Sequence, residues 1–185
     1  YSNYPAILYE YPDEPDVMLM NMEGELSDGL SFFQTPSVLG FATATSDFNN
    51  DGFIDLVSHR IGLTAQVWKG IPNSSHWIKV LPVGAVSNRD GVGTKIELWL
   101  DGVPLYRETY CGENYLGQNS RWEHFGLGEA NSIDSMIVEW SSGIIDVHYG
   151  IPTNISLVVT EGVEFDPCAE DCAGCMYIEA CNFDE

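Results

Sequence analysis

The chain has 185 residues, 44% of them hydrophobic, with 7 basic side chains against 28 acidic ones and a formal net charge of −21. That apolar content suffices for a packed core, in one ordinary domain or a small domain with attachments, and it excludes global disorder. An acidic excess of this size repels nucleic-acid phosphates from almost every face, so DNA and RNA are excluded as partners.

The charge is unevenly spread. All seven bases lie from Arg60 to Arg121, the first 30 residues carry seven acids and no base, and residues 122–185 carry thirteen acids and no base. Carboxylates in such excess are available to divalent cations, and a surface adapted to salty water accounts for the same balance. No apolar run reaches the roughly 18 residues of a membrane-spanning helix, so no span is expected. The sequence opens on Tyr1 without a signal-peptide pattern, which reads as a mature or cropped segment and not as a sign of the cytoplasm.

Residues 1–16 are rich in Tyr, Pro and acids, and Pro5, Pro12 and Pro15 forbid a regular helix there. Val17-Met18-Leu19-Met20-Asn21 reads as a short strand, Glu23-Gly24-Glu25 as a turn, and Ser31-Phe32-Phe33-Gln34 as a further strand before Pro36. The stretch from Asp47 to Asp55 carries the clearest chemistry. Oxygen side chains stand at loop positions 1, 3, 5 and 9 (Asp47, Asn49, Asp51, Asp55), with Gly52 at position 6 and the Phe53 carbonyl available at position 7. A hard cation such as Ca²⁺ takes six to eight oxygens at about 2.3–2.6 Å, and this spacing folds the donors onto one point. Gly52 permits the sharp turn that requires. Position 12 is Ser58 where an EF-hand needs Glu, and both flanks, Phe41–Thr45 and Ile54–Val57, read as strand. The expectation is a calcium loop inside a β-hairpin, with Thr64–Lys69 as the next strand.

These residues, Phe41-Ala42-Thr43-Ala44-Thr45-Ser46-Asp47 and Asp51-Gly52-Phe53-Ile54-Asp55-Leu56-Val57, resemble an FG-GAP (VCBS) repeat. The resemblance implies one blade of a β-propeller over residues 1–72, with Asp47, Asn49, Asp51, Phe53 (through its carbonyl) and Asp55 as calcium ligands. A single blade buries only part of its faces. Further blades in a longer polypeptide, the next domain or neighbouring copies are therefore expected to cover it.

From Ser75 onward the pattern alternates. Ser75–Leu81, Thr94–Leu100, Pro104–Tyr110, Arg121–Phe125, Ser135–Trp140, Ile144–Tyr149 and Ile155–Val159 read as strands. Asp101-Gly102 reads as a type I′ hairpin turn, and Ser142-Gly143 as another turn. No segment sustains a helical period, and the spacing predicts an all-β chain with a β-sandwich. The succession His76-Trp77-Ile78, Ser87-Asn88-Arg89-Asp90-Gly91-Val92-Gly93, Tyr115–Ser120, His124-Phe125-Gly126-Leu127-Gly128, Val138-Glu139-Trp140-Ser141-Ser142-Gly143 and Glu161-Gly162 resembles the ASPIC/UnbV domain. That domain follows FG-GAP repeats in secreted proteins of the cartilage acidic protein kind, and the resemblance implies such a sandwich over residues 73–163. Ser141 departs from the usual Trp-Pro-Ser-Gly turn, and Cys111 stands where a small or polar residue is usual.

Four of the five cysteines, Cys168, Cys172, Cys175 and Cys181, crowd residues 164–185. Acidic neighbours and the calcium loop favour disulfides in an oxidising exterior over zinc, with the pairing left open. This tail resembles a short Cys-rich repeat near the ends of secreted proteins of marine Bacteroidota. It implies an extracellular or cell-surface location and a polypeptide that continues further.

Other chemistry is thinner. Asn88 and Asp90 offer a second cation loop, but a hydrogen-bonded turn explains them better. His59, His76, His124 and His148 fall in four separate strands, without metal-ligand spacing. Glu97, Glu108, Glu113, Glu123 and Glu139 are available as glycosidase carboxylates, though alternation puts most on solvated faces. No Gly-x-Ser-x-Gly elbow is present. The function expected is a secreted or cell-surface calcium-binding module for adhesion, assembly or glycan binding, not an enzyme, with an extracellular protein or glycan as partner. The alternative is a secreted carbohydrate-active enzyme or an ancillary domain of one.

Overall fold

The computed structural model describes residues 19–22, 25–28, 40–60, 62–113 and 115–165. Every regular element among them is a β-strand. In chain order these are β1 (Leu19–Met22), β2 (Glu25–Asp28), β3 (Gly40–Ser46), β4 (Asp55–Arg60), β5 (Gln66–Trp68), β6 (His76–Val83), β7 (Lys95–Leu100), β8 (Val103–Glu108), β9 (Glu123–Gly128), β10 (Ser135–Glu139), β11 (Ile145–His148) and β12 (Ile155–Thr160). They form four sheets, β1-β2, β3-β4-β5, β11-β10-β7-β8 and β12-β6-β9, none closed into a barrel. The Ser31–Gln34 strand and the cysteines of the tail lie outside the described residues, as do Val17 and Met18.

The described residues fall into two compact units. One holds those up to Phe48 together with Ile54–Gly70 and Gly112–Asn119; the other holds Asn49–Phe53, Ile71–Cys111 and the chain from Ser120 on. In the first, β3, β4 and β5 make an antiparallel meander with Thr45 opposite Leu56 and Val57 opposite Val67. Arg60 closes the β4–β5 connection by donating from Nε and Nη2 to the Thr64 carbonyl at 2.8 and 2.6 Å. The Asn119 side-chain oxygen accepts from the Thr45 amide at 2.9 Å and from its hydroxyl at 3.2 Å.

The second unit is a two-layer sandwich, and alternation explains its core. Ile96 and Leu98 of β7 and Met136 and Val138 of β10 point to one side, and Ile78 and Val80 of β6, Phe125 and Leu127 of β9, and Leu157 and Val159 of β12 answer from the other sheet. All of them are buried in a single cluster with Ile133, Trp140 and Ile151. Burial of such side chains stabilises by about 1.5–3 kcal/mol each relative to exposure. The Asp101-Gly102 turn has φ of 48° and 79°, which is the type I′ geometry its sequence predicts. One pairing escapes any local reading: β12 lies parallel to β6, with Ile155 opposite Ile78 and Thr160 opposite Val83.

Candidate functional site

The β3–β4 hairpin forms as expected, with Ser46 opposite Asp55 and the loop between them turning through Asn50 (φ 56°) and Gly52 (φ 88°). Asp47 and Asp55 are buried at its base. The Asp55 carboxylate accepts from the Phe48 amide at 2.8 Å and from the Gly70 amide at 2.7 Å. In the tip, the Asp51 carboxylate accepts from the Phe53 amide at 3.0 Å and from the Asn49 side-chain nitrogen at 2.7 Å, while the Asn49 oxygen accepts from the Asp51 amide at 3.3 Å. In kind this donor set fits a hard cation, since every candidate group is an oxygen and two of the carboxylates are withdrawn from water. In placement it stops short. Among the described residues no three acidic, His or Cys side chains stand close enough together to enclose a metal ion, and the loop's oxygens are turned toward amide donors.

The tip has a second set of partners within the sandwich unit. A Cβ on Gly52 would come within 1.9 Å of the Trp77 ring, so the position requires glycine for space as well as for its positive φ. His124 donates from Nε2 to the Gly52 carbonyl at 2.8 Å, and its ring stacks on Trp77 at 6.4 Å between centroids. Lys79, buried on the outer side of β6, donates to the Asn50 side-chain oxygen at 3.3 Å and lies over the Trp77 and Trp122 rings at 5.5 and 5.9 Å. Its positive charge thus stands beside the loop position that offers no ligand, and the two rings supply part of its solvation.

The other end of the sandwich is organised by Glu161, whose part the sequence did not disclose. Its carboxylate accepts from the amides of Ala85, Val86 and Ser87 at 2.6–2.8 Å, from the Ser87 hydroxyl at 2.9 Å and from the Ser142 hydroxyl. Three successive amides aimed at one oxygen make an anion-binding nest, filled here by the chain's own side chain. Burial pushes this carboxyl up, but the Ser142 hydroxyl and the amides of Ser87, Val86 and Ala85 outweigh it and hold the pKa down at about 2. Next to it, Asp146 accepts from the Trp140 indole at 2.7 Å and from the Gly162 amide at 2.8 Å. The residues that bear the family resemblance (Ser87, Trp140, Ser142, Glu161 and Gly162) therefore meet around one buried carboxylate, Glu161, and one half-buried carboxylate, Asp146, that fasten loops.

Several of the remaining candidates have hydrogen-bond or ion-pair partners of their own. Asn88 pairs both ways with Val92, at 2.8 and 2.9 Å, and Asp90 forms an ion pair with Arg121 at 2.9 Å, which makes their loop a hydrogen-bonded turn. His59, His76, His124 and His148 stand on β4, β6, β9 and β11. His148 accepts from the Phe165 amide at 3.2 Å; burial lowers its pKa below the ordinary 6.5, against the upward pull of Asp146 and Glu164. Cys111 is an exposed free thiol. Of the carboxylates considered for glycoside hydrolysis, Glu97 accepts from the Trp99 indole, Glu108 from the hydroxyls of Tyr106 and Tyr110, Glu139 from Lys95 at 3.1 Å, and Glu113 from the Asn119 amide at 3.3 Å.

The class these observations define is an all-β domain of two packed sheets whose loops are tied by the carboxylates of Glu161 and Asp146. The family model described as ASPIC and UnbV matches residues 84–164. The matched stretch is completed structurally from further back, since β6 precedes it yet lies in the middle of the β12-β6-β9 sheet. None of the curated proteins matches the chain.

Proposed function

We propose that the chain is part of an extracellular, non-catalytic glycan-recognition module in which a calcium-stabilised FG-GAP-type blade precedes the ASPIC and UnbV sandwich. The observation that carries the recognition reading is the outer face of the β11-β10-β7-β8 sheet. Register puts Tyr106 opposite Glu97, Glu97 opposite Ile137, and Ile137 opposite Val147 on that face, with Lys95 and Glu108 in the adjacent row. Tyr106 and Tyr110 are about half exposed, and both donate to the Glu108 carboxylate at 3.0 Å. Aromatic rings offer sugars an apolar stacking surface, and carboxylates between them accept from hydroxyls. A net charge of −21 selects neutral or amino sugars over sulfated and uronic ones.

Calcium belongs to the same proposal. The supporting observation is the hairpin loop with Asp47 and Asp55 buried at its base and Asn49, Asp51 and the Phe53 carbonyl at its tip. Bound there, calcium would neutralise the carboxylates and fix the loop. Disulfides among Cys168, Cys172, Cys175 and Cys181 complete the extracellular reading. A glycan array probed with the full chain, with and without calcium, tests the recognition claim. Binding to neutral or amino glycans that Tyr106→Ala and Tyr110→Ala abolish is the expected result, and an array silent under both conditions contradicts it.

A further inference from the structure

We propose that the sandwich is a load-bearing clamp, built so that tension along the polypeptide shears β12 against β6. This goes beyond the recognition reading and depends on neither calcium nor glycan. β6 is the first strand of the sandwich unit and β12 the last, and these two strands are paired parallel, from Ile155 opposite Ile78 to Thr160 opposite Val83. In a parallel pair the N-terminal end of one strand and the C-terminal end of the other lie at opposite ends. Tension between residues 71 and 163 therefore runs along the strands and stretches the ladder bonds together. With an antiparallel terminal pair the same tension would open the bonds one at a time.

The surroundings suit that role. β6 is the central strand, held on its other side by β9, with Ile78 and Val80 fully buried; β12 is the edge strand and the one that would slide. The parallel ladder continues past both strand ends, through the Asn154 amide to the Trp77 carbonyl at 2.6 Å and the Glu161 amide to the Val83 carbonyl at 3.0 Å. Glu161 then takes five donors from two other segments, 85–87 and Ser142, and Gly162 is tied to Asp146 on β11. Pull arriving at residue 163 meets this latch before it reaches the ladder. Hydrogen bonds to a charged acceptor are the strong ones, and here they sit at the loaded end of the edge strand.

Single-molecule force spectroscopy on the full chain tests the clamp. Handles are joined through azide-bearing residues, which leaves the cysteines untouched. Positions 71 and 163 carry exposed side chains (85% and 56%) and load the pair in shear; positions 74 and 153, at one end of the same pair, peel it. The shear geometry is expected to unfold at the higher force at a common loading rate. Glu161→Gln is expected to speed shear unfolding at fixed load by about tenfold while changing the peeling rate little. Equal forces in the two geometries of the unsubstituted chain, a comparison that needs no latch variant to fold, would overturn the clamp. An unchanged shear rate in Glu161→Gln would overturn the part given to the latch.

Discussion

A carboxylate buried at the end of a strand is costly unless donors surround it, and Glu161 is surrounded. Its pKa falls from the ordinary 4.5 to about 2 on folding, so the unfolded chain binds the proton more readily. The stability that results is fully present above pH 4.5 and is lost as pH falls toward about 2. His148 acts in the same direction at a higher pH. Its folded pKa lies below 6.5, so its contribution is complete above 6.5 and drains away as pH falls beneath that value. Melting temperatures recorded from pH 7 downward should therefore decline in two stages. Glu161→Gln should melt lower at neutral pH, and its deficit should shrink between pH 4.5 and about 2; a constant deficit across that window would refute the assignment. None of this was legible in the sequence. Glu161 lies 74 residues from Ser87 and 19 from Ser142, and no spacing rule joins positions so far apart. Gly52 was half legible: the turn it permits follows from its neighbours in the chain, while the Trp77 ring against it does not.

Among the elements, the strands that alternate were readable because burial on one face imposes a period of two. β7 and β10 follow their expected spans closely, and the type I′ turn after β7 falls on Asp101-Gly102. The return strand was expected to run to Tyr110, but β8 ends at Glu108. The reason is a bulge, in which Gly93 (φ 84°) donates to the Thr109 carbonyl and Thr109 donates to the Thr94 carbonyl, so two residues face one. The bulge leaves the hydroxyls of Thr94 and Thr109 buried with no hydrogen-bond partner among the described residues. A buried unsatisfied hydroxyl is destabilising, and valine has nearly the same shape. Thr94→Val should accordingly raise the unfolding free energy by about 1 kcal/mol in urea melts. A loss of stability instead would mean that the hydroxyl is bonded in solution. Parallel pairing of β6 with β12 could not be read from local pattern, because alternation fixes which face of a strand is buried and not which strand lies beside it.

At the scale of the whole molecule the dominant fact is a charge of −21. Self-repulsion of that size weakens the compact state, and any salt relieves part of it by screening. Calcium acting only as an ion would do no more than an equal ionic strength of sodium chloride. Calcium held by the Asp47–Asp55 loop would do more, since a ligand that binds only the folded form stabilises by mass action. For an extracellular site of about 10⁻⁴–10⁻³ M, millimolar calcium contributes about 0.4–1.4 kcal/mol. The variant that isolates this effect is Asp51→Asn, which keeps an oxygen to accept from the Phe53 amide and removes the charge. Asp55 is unsuited to the purpose, because its carboxylate also holds the amides of Phe48 and Gly70.

The most direct measurement is the melting temperature of the full chain in moderate salt, with millimolar calcium and then with excess chelator, for the unsubstituted protein and for Asp51→Asn. A calcium-binding loop predicts a drop on chelation in the unsubstituted protein and little or none in Asp51→Asn. Identical melting with calcium and with chelator in the unsubstituted protein, or an equal drop in both proteins, would contradict it.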